Sequence, residues 1–159
     1  VTKYDPAERD FTGADCLLCT SADGEPLHLW FRVENHGGVR TWLEESALAP
    51  VIFTPAEARQ ILTGWKTIQR HIRRGTHTDQ EICVTPLDED TGEETAVVFG
   101  VQDGHMTYWR TGEPPERIML GPTVVTQLIT AWEKVCDKAE RTAAHPDDDP
   151  PQASPHPAS

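Results

Sequence analysis

Cations are scarce in this chain. Its 14 Lys and Arg stand against 26 Asp and Glu, a formal net charge of -12 over 159 residues. That balance, with a pI near 4.9, excludes a whole-surface attraction to DNA or to an anionic membrane, although a local basic groove stays compatible with it. Four cysteines are too few for the dense disulfide framework of a small secreted domain. No apolar run approaches the ~18 residues of a membrane span. No charged-then-apolar leader is read at the start, so a cytoplasmic protein with no membrane partner is expected. Local signatures of catalysis are missing as well: there is no GxSxG, P-loop, GxGxxG or HExxH. The expectation is a non-catalytic protein without a cofactor. An enzyme would have to assemble its site from residues scattered along the chain.

What is present is a repetition. Residues 51–68 align without a gap on residues 118–135, so that Pro55 falls on Pro122, Gln60 on Gln127, Thr63 on Thr130 and Trp65 on Trp132. Upstream, at the same offset of 67, Trp42 falls on Trp109, Gly37 on Gly104 and Cys16 on Cys83. A period this long marks a repeated supersecondary unit.

Each copy reads as four strands and a helix. In the first, residues 16–20 form a short apolar strand. Residues 27–34 alternate, with Leu27, Leu29, Phe31 and Val33 on one face and His28, Trp30 and Arg32 on the other. Residues 35–38 make a hairpin turn, 39–44 return, and 49–54 give a fourth strand. Thr54, Pro55 and Glu57 then have the arrangement of an N-cap, a first-position proline and a capping box, opening a helix that runs to about Arg74 with Gly75 as its stop. The second copy repeats the order, with strands at 81–87, 95–102, 105–110 and 117–120 and a helix from Pro122 to about Thr142. The apolar stripe Ala58, Ile61, Trp65, Ile68 and Ile72 recurs as Val125, Leu128, Trp132, Val135 and Ala139.

The expected fold is α+β: two tandem ββββα repeats (13–75 and 80–142) in one domain, with antiparallel four-stranded sheets packed on two amphipathic helices. A loose arm (1–12) precedes it and a disordered acidic tail (143–159), rich in Pro and Asp, follows. At the offset of 67, Val97, Phe99 and Val101 fall on Trp30, Arg32 and Glu34. The strand would then be apolar on both faces, which suits a strand covered twice; the second cover is either the first repeat or, as the favoured expectation, a second protomer that these three residues meet in a homo-oligomer.

Candidate chemistry is thin. Cys16 and Cys19 have the spacing of a zinc or redox pair, with His28, His36, Cys83 or Cys136 as further ligands. In a strand, however, residues three apart face opposite ways, and Cys83 is already explained as the repeat of Cys16, so no metal is expected. The acid run at 88–90 with Glu93 and Glu94 reads as a solvated hairpin tip. Positive charge concentrates on the first helix, in Arg59, Lys66, Arg70, Arg73 and Arg74. Cations near a helix C-terminus satisfy the macrodipole, but they also suit phosphate contacts, with Trp30 and Tyr108 stacking bases.

The organisation around Pro55/Trp65 and Pro122/Trp132, with hairpins at Trp42 and Trp109, resembles the Whirly-type architecture over about residues 13–142. Proteins of that architecture include oligomeric single-strand DNA binders, guide-RNA binders and acidic, non-catalytic proteins of cell division that recruit other proteins. The resemblance implies an oligomeric single-stranded nucleic-acid-binding or regulatory protein. The alternative is an acidic protein–protein scaffold with no nucleic-acid role.

Overall fold

A computed structural model describes residues 11–21, 23–46, 48–76, 81–112 and 115–145. Most of the expected arm, and the expected tail from residue 146 on, lie outside the described residues. In chain order the elements are β1 (Asp15–Ser21), β2 (Pro26–Val33), β3 (Val39–Leu43), β4 (Val51–Phe53), α1 (Pro55–Arg74), β5 (Ile82–Val84), β6 (Leu87–Asp88), β7 (Val97–Gln102), β8 (His105–Arg110), β9 (Glu116–Leu120) and α2 (Pro122–Ala144). No described helix is long and apolar enough to cross a membrane.

Local chemistry explains where α1 begins and ends. The Thr54 side chain accepts from Glu57 N at 3.1 Å, and Glu57 Oε1 accepts from Thr54 N at 2.9 Å, which closes the capping box. Gly75 ends the helix at φ 66, the left-handed conformation that glycine adopts without strain. α2 starts on Gly121 with Pro122 next, and its cap makes no side-chain hydrogen bond.

The two separate four-stranded sheets expected from the sequence are in fact one. All nine strands form a single antiparallel sheet in the order β5-β7-β8-β9-β1-β2-β3-β4-β6. The join comes from pairings far apart in the chain, Thr20↔Met119 and Ser21↔Ile118 between β1 and β9, and Leu87↔Ile52 and Asp88↔Val51 between β6 and β4. Each residue of the second seam lies 67 positions from its counterpart in the first. The outermost strands, β5 and β6, are separated only by Thr85 and Pro86, and Leu87 bridges Glu94 in the register that β5 keeps with β7. The extended segment 82–88 therefore runs from one end of the strand order to the other, pairing with β7 through β5 and with β4 through β6.

The inner face and the two helices share one core. Trp65 and Trp132 meet at its centre, 5.1 Å between ring centroids. Phe31 and Phe53 stand edge-on to Trp132, and Phe99 to Trp65. Trp132 Nε1 donates to Ala58 O at 2.9 Å. α1 lies so close to β5 that a Cβ on Gly64 would come within 2.3 Å of Ile82 Cδ1.

Turn length decides which way β7 faces. Between β2 and β3 the loop is Asn35, His36 and Gly37, inside a bond from Glu34 N to Gly38 O. Between β7 and β8 it is Asp103 and Gly104 alone, both at positive φ (52 and 76), the two-residue hairpin form. One residue fewer shifts β7 by one position against β2. Val97 and Phe99 then take the inward places of Leu29 and Phe31 and are 0% and 4% exposed. This corrects the interface expectation: both are committed to the chain's own core, with half-buried Val101 packed beside them.

Candidate functional site

The hairpin register brings a group of aromatic and charged side chains together on the outward face of β1–β3, where Trp42 is buried and Trp30, Arg32 and Arg40 are half-buried. Trp30 and Trp42 are directly opposed across β2 and β3, with rings stacked at 6.2 Å and 8°. Phe11 lies against both, 4.5 Å from Trp30 and 5.8 Å from Trp42, so the end of the expected loose arm is docked. Arg32 and Arg40 form the next cross-strand pair. Arg32 Nε donates to Glu34 Oε2 at 2.9 Å, and its Nη1 donates to Thr12 O at 3.3 Å. Arg40 grips Glu89 with two bonds, Nε at 2.7 Å among them, and sits 5.8 Å from the Trp42 ring centroid. Trp30 Nε1 donates to Glu44 Oε1 at 2.9 Å. Leu18, 57% exposed, extends the same face on β1.

The five helix cations divide into two groups. Arg59 on α1 donates to Glu140 Oε2 at 2.9 Å and to Asp137 Oδ1 at 3.0 Å on α2, which holds the Glu140 carboxyl below its ordinary value. Lys66 meets Glu133 at 3.2 Å. These pairs bind the helices to one another. Arg70, Arg73 and Arg74 stand exposed at the C-terminal end of α1. No carboxylate pairs with them among the described residues.

Tyr108, expected to stack bases, is 6% exposed and points inward. Its hydroxyl donates to Glu116 Oε1 at 3.0 Å, and burial pushes the phenol well above its ordinary pKa. The network continues through Arg110, 1% exposed, whose Nη1 donates to Ala49 O at 2.6 Å and Nη2 to Asp88 Oδ2 at 2.9 Å. Arg110 Nε and Glu116 Oε2 make no protein hydrogen bond. Through these bonds Arg110 ties β8 to β6 and to the approach to β4 across the second seam. The sequence reading missed them, because Arg110 and Glu116 look like ordinary surface residues until the phase of β8 is known.

Cys16 is exposed and Cys19 buried, on opposite faces of β1. Burial pushes the Cys19 thiol up to about 12. The two therefore do not converge on a metal, and the alternation of the strand is the reason. The platform itself had one usable signal in the sequence. A turn at residues 35–37 places Trp30 opposite Trp42 and Arg32 opposite Arg40. Phe11 carried no such signal, since nothing local brings it there. No protein-family model, curated protein or solved structure matches the chain.

Proposed function

We propose that the chain is two tandem ββββα units of Whirly-like architecture sharing one core, and that it is a non-catalytic binding protein recognising its partner through the outer face of β1–β3. The two seams support the duplication, since they match residue for residue at an offset of 67. So do the central contacts: Trp65 meets Trp132, and Lys66 meets Glu133, each pair at that same offset.

A protein partner fits this face better than single-stranded nucleic acid. The observation that carries the reading is the pairing of the cations: Arg32, Arg40, Arg59 and Lys66 each meet a carboxylate of the chain. A phosphate strand would have to break those pairs on a molecule of net charge -12. An exposed leucine and a half-buried tryptophan beside paired arginines have the composition of a protein interface. Self-association, expected from the sequence, would use this same face, because Val97 and Phe99 are occupied in the core.

Arg70, Arg73 and Arg74 support a second reading, single-stranded nucleic-acid binding, because phosphate contacts there would break no ion pair among the described residues. Fluorescence anisotropy with labelled oligothymidine at two salt concentrations separates the two. The expected result is no salt-sensitive binding by the full chain. Binding that weakens steeply with salt, and is lost when the three arginines become alanine, establishes the second reading instead. Native mass spectrometry of the wild type and of Leu18→Asp reads the self-association.

A further inference from the structure

Next to the Trp30–Trp42 platform lies a group of donors that the binding reading does not use. His28 is on β2, while Glu44 and Glu45 directly follow β3. One ligand atom of each lies within 4.8 Å of the other two. The backbone builds this proximity, because Glu44 N donates to His28 O at 2.9 Å and so carries the β2–β3 ladder one residue past the strand. Glu45 folds back over the same residue. Its Oε1 accepts from His28 N at 2.8 Å, and its Oε2 contacts His28 Nδ1. Glu44 is oriented from outside the group by the Trp30 indole N–H at 2.9 Å. Both carboxylates are thus aimed by partners on β2 rather than left to swing in solvent.

We propose that His28, Glu44 and Glu45 form a surface site for one divalent transition-metal ion of zinc's class. The donor chemistry selects the ion. One imidazole nitrogen and two carboxylate oxygens match zinc, which takes both at about 2.0–2.2 Å. Calcium and magnesium favour all-oxygen sets. The three ligand atoms already lie within 4.8 Å of one another, so side-chain rotations alone bring them onto one ion without moving the strands. His28 is half-buried and both glutamates are exposed, which lets an ion enter from solvent and leaves its remaining positions to water. The Trp30 indole then acts as the outer partner of a ligating carboxylate, the role that fixes ligand geometry in built metal sites.

The test uses the full, untagged, chelator-treated chain. Titration with zinc chloride by calorimetry should give one ion per chain. His28→Ala and Glu45→Gln should each abolish that event while the urea midpoint stays within the range of other surface substitutions. Trp30→Phe keeps a ring but removes the N–H that orients Glu44, and should weaken zinc about tenfold. Titration with nickel should quench tryptophan fluorescence in the wild type and not in His28→Ala, because the proposed ion sits one hydrogen bond from Trp30. Absence of a one-ion event overturns the proposal. So does zinc binding that survives both His28→Ala and Glu45→Gln, which would mean an adventitious ion only, held by others of the chain's seven histidines.

Discussion

In the first half of the sheet, Trp30, Arg32, Arg40 and Trp42 face outward, and the inner positions Thr41, Leu43 and Ala49 are small or apolar. In the second half, the places that correspond outward are Val98, Gly100, Thr107 and Trp109, and the inner ones are Tyr108, Arg110 and Glu116. The polar chemistry has changed sides. Outside, it is partly exposed, and its arginines already have carboxylates. Inside, it is sealed, and its value is mechanical, because Arg110 spans from β8 to Asp88 of β6 and to Ala49 O. A buried ion cluster holds geometry only while its members are paired. The polar side chains of the first half thus lie on the outer face proposed for recognition, and those of the second half lie in the core.

The sharpest way to break this comparison is at Arg110. Arg110→Leu leaves Glu116 and Asp88 without their cation and should cost ~3–5 kcal/mol. The double change Arg110→Leu with Glu116→Ala gives the second half the Leu43 and Ala49 of the first, and should recover most of that loss. Urea denaturation of both variants measures it, and a double mutant no better than the single one would deny that pairing is the reason. Arg40→Leu, on the outer face, should cost no more than ~1 kcal/mol.

The helix pair gives the next contrast. Trp65→Ala and Trp132→Ala should each lose ~3–5 kcal/mol through the cavity left behind. Trp132 should be the costlier, because its Nε1 holds Ala58 O while Trp65 Nε1 has no protein partner. Equal losses in urea would show that the hydrogen bond adds nothing.

Alkali separates the buried thiols from the buried phenol by pH. Burial raises the pKa of Cys19 to about 12, that of Cys136 to about 11, and that of Tyr108 well above 10. A folded chain that holds these protons more tightly than the unfolded one keeps its full stability below the unfolded pKa and loses it as pH rises. The thiol contribution should fade from about pH 8.5 upward and the phenol contribution from about pH 10. Cys19→Ala should flatten the earlier fall in a urea series over pH, and Tyr108→Phe only the later one.

The smallest effect concerns the caps. Thr54→Ala should cost α1 ~1 kcal/mol. Gly121→Asp should stabilise α2 by ~0.3–1 kcal/mol, by supplying the missing cap and a charge that favours the helix N-terminus. Gly121 has φ -71, and a Cβ there meets nothing closer than 3.8 Å, so the aspartate fits without strain. Thermal melts resolve both shifts.

By itself the sequence determined whatever rests on neighbours. Helix α1 is legible from Thr54 to Gly75 because its cap, its stop and its apolar stripe all lie within the helix and its ends. β8 is legible because a two-residue turn precedes it. The offset of 67 is visible in the sequence, and with it the correspondence of Trp65 and Trp132. Only the tertiary structure decided the rest. The seams join residues nearly a hundred positions apart at Thr20 and Met119, and no local pattern marks such a partner. The phase of β7 turned on one residue in a hairpin, and a shift of one place exchanges the two faces of a strand. That exchange put Phe99 in the core. The phase of β8 did the same for Tyr108, whereas Trp30 stayed outside beside Phe11, which no spacing in the chain connects to it.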